Sequence, residues 1–212
     1  MFFYNFFQRA RDPLSSYTHF IGACLSVIGI IVIMLRGGDG LCGLLVFAFC
    51  MLALYATSCS YHFVKASDEV IERVRKLDHA MIFVLISGSY TPLILKFMSP
   101  ERIPLFLCIF WGITLLGIII KVFWLHAPRW LYTSLYVLMG WGIVFDPSFF
   151  FAIPTGGIIL LAAGGLMYTV GALCYALKKP NLPKGFGFHE IFHLFVIAGS
   201  FLHYIMLYNY TA

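Results

Sequence analysis

Residues 18–35 read THFIGACLSVIGIIVIML, a stretch without a single Asp, Glu, Lys or Arg. About 20 residues of this kind cross the ~30 Å hydrocarbon layer of a bilayer as a helix. The apolar run is continuous, so it does not have the alternating ten-residue pattern of a membrane β-strand. Six further apolar runs, each with at most one Asp, Glu, Lys or Arg, follow at 41–64, 79–97, 103–124, 130–147, 155–177 and 188–208. The sequence therefore predicts an all-α protein, a single seven-helix membrane domain over residues 1–212 with short connections.

Composition agrees. Of 212 residues 61% are hydrophobic and only 11% charged, where a soluble domain carries roughly 25% charged residues. Fourteen cations and nine anions are too few to coat a water-facing globule. A disordered chain, a collagen-like fibre and a disulfide scaffold are excluded on the same figures. The six cysteines form no CxxC pair and read as small buried residues. Gly37-Gly38, Pro100, Pro104, Pro147, Pro154, Pro180 and Pro183 punctuate the turns, and Pro92 predicts a kink inside the third run. The Phe-rich start, MFFYNFFQRARDP, reads as an interfacial anchor, because Arg9 and Arg11 follow its apolar residues instead of preceding them. No internal repeat is evident.

The fourteen basic residues predict the orientation. Arg9, Arg11, Lys65, Arg73, Arg75, Lys76, Lys121, Arg129, Lys178, Lys179 and Lys184 fall on one side of the seven-span topology, and only Arg36, Lys96 and Arg102 on the other. The excess marks the cytoplasmic side, which puts the N-terminus inside and the C-terminus outside. The net charge of +5 is thus a topology and anionic-lipid signal rather than a nucleic-acid footprint.

Ionisable groups inside a bilayer are costly and mark function by default. The second span ends in Thr57-Ser58-Cys59-Ser60-Tyr61-His62, the third opens with Asp78-His79, and the seventh opens with His189-Glu190-Ile191-Phe192-His193. The topology, derived from Lys and Arg alone, brings all three stretches to the cytoplasmic depth. His189 and His193 share one helix face about 6 Å apart along the axis, and Ser58 shares a face with His62 by the same spacing. Three imidazoles, a carboxylate and an open position describe a catalytic-type zinc site. Imidazole without thiolate also suits iron, nickel or copper, and availability favours zinc. A lone interfacial histidine is commonly a capping or snorkelling residue, and it is the convergence of three that argues for metal. His79, Tyr61 and Cys59 read as packing neighbours and His126 as a solvated turn residue. His203 lies about 15 Å beyond His193 along the axis, out of reach. The HExxH pattern of zinc proteases is also present, but no acidic third-ligand motif follows it, and Glu190 equally suits a first-turn acid.

Together these pieces resemble the bacterial hemolysin III proteins and, more distantly, the progestin and adipoQ receptors and the alkaline ceramidases. The matching segments are Asp12-Pro-Leu-Ser15-Ser-Tyr-Thr-His19-Phe-Ile-Gly22, Ser58-x-x-x-His62, Lys76-Leu-Asp78-His79, Ser87-Gly88-Ser89-Tyr90-Thr91-Pro92, and His189-Glu-Ile-Phe-His193 with Ala198-Gly199-Ser200. Asp12 stands where Glu is common in that family, and Ser15 where Asn is common. The resemblance implies a seven-helix fold with a cytoplasmic-side zinc held by His62, His189 and His193. Asp78 would bind the metal directly or hold its water, with Ser58 close by.

The function expected on these grounds is a zinc-dependent hydrolase of lipid amide or ester bonds in the plasma membrane, using zinc-activated water. Asp78 would orient the water and move its proton, and Ser58 would stabilise the oxyanion. The alternative is a non-enzymatic receptor or regulator with a structural zinc. A cytolysin or pore and an intramembrane protease are weaker readings. The expected partner is a membrane lipid, as substrate or ligand, and not a nucleic acid.

Overall fold

The computed structural model describes residues 6–124, 127–146, 148–182 and 186–211. Residues 1–5 of the expected anchor, His126, Pro147, Pro183 and Lys184 lie outside the described residues. The described chain is helical, without a strand: α1 Pro13–Arg36, α2 Leu41–Phe63, α3 Asp68–Phe97, α4 Ile103–Phe123, α5 Arg129–Gly140, α6 Thr155–Leu177 and α7 Phe188–Tyr210. A 3₁₀ turn at Gly142–Phe145 and a short helix at Ser148–Ala152 connect α5 to α6. All but α5 are long and apolar enough to cross a membrane. The chain is a multi-pass integral membrane protein.

Helix ends follow local chemistry. Pro13 occupies the first turn of α1, where its missing N–H costs nothing. Gly37 ends that helix with φ +66°, a backbone conformation that glycine adopts freely. Neighbouring helices pack in chain order along α1–α2–α3–α4, α7 packs against α6 and returns onto α1, and α5 rests on α6 and α3. Leu25, Ile28, Ile31 and Leu35 of α1 face outward, while Ser15, Ser16, His19 and Ser26 are buried. Apolar side chains outside and polar ones inside is the distribution a lipid solvent selects. Interior hydroxyls join the helices. Ser87 donates to the Phe110 carbonyl (2.8 Å), Thr114 to that of Phe83 (3.1 Å) and Tyr55 to Ser200 (2.7 Å). The backbone of α3 also passes close to α2, since a Cβ on Gly88 would stand 2.6 Å from Cys50 Sγ.

Two expectations need correction. The third helix begins at Asp68, well before residue 79, so Asp78 sits within it and does not open it. Asp68 and Glu69 fill its first turn, and Glu69–Arg73 (2.5 Å) and Glu72–Lys76 (3.1 Å) pair at i,i+4. These stabilise a water-facing extension that hydropathy alone assigns to a loop. The fifth run is not one spanning helix over 130–147. After Gly140 it tightens into the 3₁₀ turn, and twelve residues of α5 rise only about 18 Å. Tyr90 of α3 covers the break: its hydroxyl donates to the Gly140 carbonyl (2.8 Å) and accepts from the Ile143 N–H (2.9 Å). Backbone groups freed inside a membrane require such partners. Pro92 is carried within α3 without ending the helix.

Candidate metal centre and its cavity

Two helix ends at one end of the bundle build the centre. The last turn of α2 supplies His62, and the first turns of α7 supply His189 and His193. The start of α7 is set by Glu190, which accepts the Gly187 N–H (2.8 Å) through one carboxylate oxygen and the Ser15 hydroxyl (2.8 Å) through the other. Glu190 is therefore a helix cap tied to α1, as its first-turn position suggested.

One nitrogen from each of His62, His189 and His193 lies within 4.8 Å of the others. The Nε2 atoms of His62 and His189 stand 3.1 Å apart. Two nitrogens on a single tetrahedral zinc, each about 2.0–2.1 Å from the metal, lie roughly 3.4 Å from one another. The donor set of three imidazoles without thiolate and the spacing both fit one divalent cation.

The surroundings orient the rings. His62 Nδ1 contacts Asp12 Oδ2 at 3.0 Å. With Nδ1–H donating to that carboxylate, Nε2 is bare toward the centre, the carboxylate–histidine–metal arrangement. Arg11 Nε also donates to Asp12 Oδ2 (3.0 Å), and its guanidinium lies 4.3 Å from the centroid of the Tyr61 ring. Burial pushes the Asp12 carboxyl up, but hydrogen bonds from His62 and Arg11 outweigh it and hold the group below the ordinary carboxylate range. His19 of α1 stacks on His193, with ring centroids 3.6 Å apart and 10° between planes. The sequence reading did not assign Asp12 or His19 to the centre. The one signal that could have marked His19 was an imidazole in an otherwise apolar span.

A cavity of about 230 Å³ opens beside the histidines, lined by residues of α1 to α7. Asp78 and Ser58 line it together with His189 and His193, and the Ser58 hydroxyl lies beside the Asp78 carboxyl. Asp78 is outside the group of three mutually close donors. Its wall continues through Leu54, Ile82, Leu93, Leu161 and Val196 toward His203. His203 contacts the Leu161 carbonyl at 3.2 Å and stays away from the centre, as its spacing required. Cys59 contacts Ser16 (3.6 Å) and does not join the donors.

A profile of the family described as Haemolysin-III related matches residues 7–204. The chain is 31% identical to "Hemolysin-3 homolog" of Bacillus subtilis (strain 168), over 92% of this chain and 91% of that protein. It is 32% identical to "Hemolysin-3" of Bacillus cereus, over 90% and 87%. A plant protein, "Heptahelical transmembrane protein 4" of Arabidopsis thaliana, is 33% identical over 74% of this chain and 44% of its own length.

Proposed function

The chain belongs to the haemolysin-III-related family, and from that premise we propose that it is a membrane-embedded, zinc-dependent hydrolase of lipid amide or ester bonds. The convergence of His62, His189 and His193 beside a largely apolar cavity that Asp78 and Ser58 also line carries this reading. The lysine and arginine bias supports placing this end of the bundle at the cytoplasmic face.

His62, His189 and His193 would hold the zinc, which would supply an acidified water and a Lewis acid for the substrate carbonyl. The chain's own groups do the rest. Asp78 accepts the proton of the attacking water and returns one to the leaving amine or alkoxide. Ser58, beside Asp78, donates a hydrogen bond to the developing oxyanion. Asp12 fixes the His62 ring, and His19 braces that of His193. The cavity is larger than the ~150 Å³ apolar cavity that holds benzene in an engineered protein. It is roomy enough to take part of an acyl chain between the helices.

A second reading has one observation in its favour. Asp12–His62 and Ser15–Glu190 already tie α1 to α2 and α7, so a cation there would also serve as a structural staple in a non-enzymatic regulator. Metal content and turnover of purified protein separate the two. The hydrolase reading expects about one zinc per chain, its loss in His189→Ala/His193→Ala, and metal-dependent release of fatty acid from an acyl-lipid panel that disappears in Asp78→Asn. A zinc-loaded protein with no turnover on the panel, and melting unaltered by Asp78→Asn, would leave only the staple.

A further inference from the structure

The charged residues on the cavity wall are not spread along it. Arg75, Asp78, Lys121 and Arg129 are its charged lining residues, and all four come from the same ends of α3, α4 and α5 that surround the histidines. Three cations face one carboxylate.

Lys121 is the most revealing of them. It is only 2% exposed, its ammonium lies 3.4 Å from the centroid of the Tyr132 ring, and among the described residues no carboxylate pairs with it within 4.0 Å. Asp78 is the acidic group whose field reaches it, and Arg75 shares that field. Arg129 is stacked 4.5 Å from the centroid of the Tyr175 ring and gives one N–H to the Tyr175 carbonyl at 3.2 Å. The guanidinium also lies 5.4 Å from the centroid of the Phe188 ring, and among the described residues no carboxylate pairs with it within 4.0 Å. Burying an ammonium against an apolar wall is costly without a counter-charge, and a guanidinium fork suits an oxyanion. Beyond these cations the wall is mainly aliphatic and aromatic, through Leu85, Leu93, Ile158, Tyr90 and Trp141. One end of the space thus calls for negative charge and the rest for hydrocarbon.

We propose that the cavity selects an amphiphile with an anionic headgroup, a phosphate or comparable oxyanion held by Arg75, Lys121 and Arg129 with its hydrocarbon chain along the apolar wall. This rests on the hydrolase reading for its consequence, that the substrate is an acidic acyl lipid, but the binding itself is independent of turnover.

The test uses full-length protein in neutral maltoside micelles, reading thermal stabilisation and bound mass by native mass spectrometry. The probes are dodecyl phosphate, dodecanol, dodecyltrimethylammonium and inorganic phosphate. Dodecyl phosphate is expected to bind at least tenfold more tightly than dodecanol or the cationic amphiphile, and inorganic phosphate is expected not to displace it. Lys121→Met and Arg75→Gln should each weaken dodecyl phosphate at least tenfold. Lys121→Arg should keep it, and Lys178→Gln, outside the cavity, should leave it unchanged. Equal binding of the neutral and anionic chains overturns the proposal, and so does displacement by inorganic phosphate at equal concentration, which would mark a free-anion site. Wild-type binding in both Lys121→Met and Arg75→Gln does the same. His62→Ala separates this from the hydrolase reading: it should abolish turnover while headgroup preference persists. Preference without turnover in any lipid sinks the hydrolase alone, and turnover without preference sinks the headgroup alone.

Discussion

His19 and His193 lie face to face, 3.6 Å between centroids and 10° between planes, although 174 positions separate them in the chain. The stack fixes the plane of one of the three candidate ligands from a helix that supplies no ligand itself. Outer-sphere groups that orient ligating histidines typically contribute 10–100-fold in metal affinity. His19→Leu is therefore expected to weaken zinc at least tenfold in competition with a chromophoric chelator, while His19→Phe, which keeps a flat ring, loses less. Equal affinities in His19→Leu and wild type would rule out the bracing role.

Asp12 acts on the other side of the centre through the 3.0 Å contact with His62 Nδ1. Asp12→Ala removes both the acceptor and its charge, so zinc affinity is expected to fall 10–100-fold. Asp12→Asn keeps an acceptor and should lie between Asp12→Ala and wild type. The same chelator competition reads both variants, and an order other than wild type, Asn, Ala would contradict the orienting role.

The histidines of the centre were readable because an ionisable group at the edge of an apolar run is an anomaly, and three of them fell at one depth. Asp12 was not, since a carboxylate just before a helix raises no such flag and its partner is 50 residues away. The same contrast runs through the fold. The runs at 155–177 and 188–208 match α6 and α7 to within a few residues because glycine, proline and charge bound them sharply. The start of α3 was lost because residues 68–78 are rich in charge, and a hydropathy reading discards a helix whose support is i,i+4 ion pairs. The break after Gly140 was invisible for a different reason: what makes it tolerable is a tyrosine hydroxyl from another helix.

That hydroxyl yields a third prediction. Tyr90→Phe keeps the ring, which stacks on Phe110 at 3.9 Å, but strips the partner from the Gly140 carbonyl and the Ile143 N–H. An unsatisfied buried backbone group costs about 1–3 kcal/mol. The variant should melt several degrees lower, with faster amide exchange over residues 140–145 in particular. Unchanged melting and exchange would mean that other groups satisfy the break.

At the opposite end of the bundle, Asp146 ties the link after α5 to the start of α4. It accepts the Ser148 hydroxyl (2.6 Å) and N–H (3.1 Å) and the Arg102 guanidinium (2.6 Å). The Ser148 hydroxyl leads in holding its carboxyl below the ordinary value of 3.8; burial opposes this, and the Ser148 N–H and Arg102 reinforce it. A carboxyl lowered on folding binds fewer protons in the folded state than in the unfolded one near pH 4, so its contribution is fully present above that pH. It fades as pH drops through the folded value. The melting difference between wild type and Asp146→Asn should therefore be constant from pH 7 to pH 5 and shrink steadily below pH 4. Arg102→Gln should show a smaller gap with the same acid dependence, because Ser148 still serves the carboxylate. A gap that persists undiminished to pH 2.5 would show that the charge of Asp146 contributes nothing and that only its shape matters.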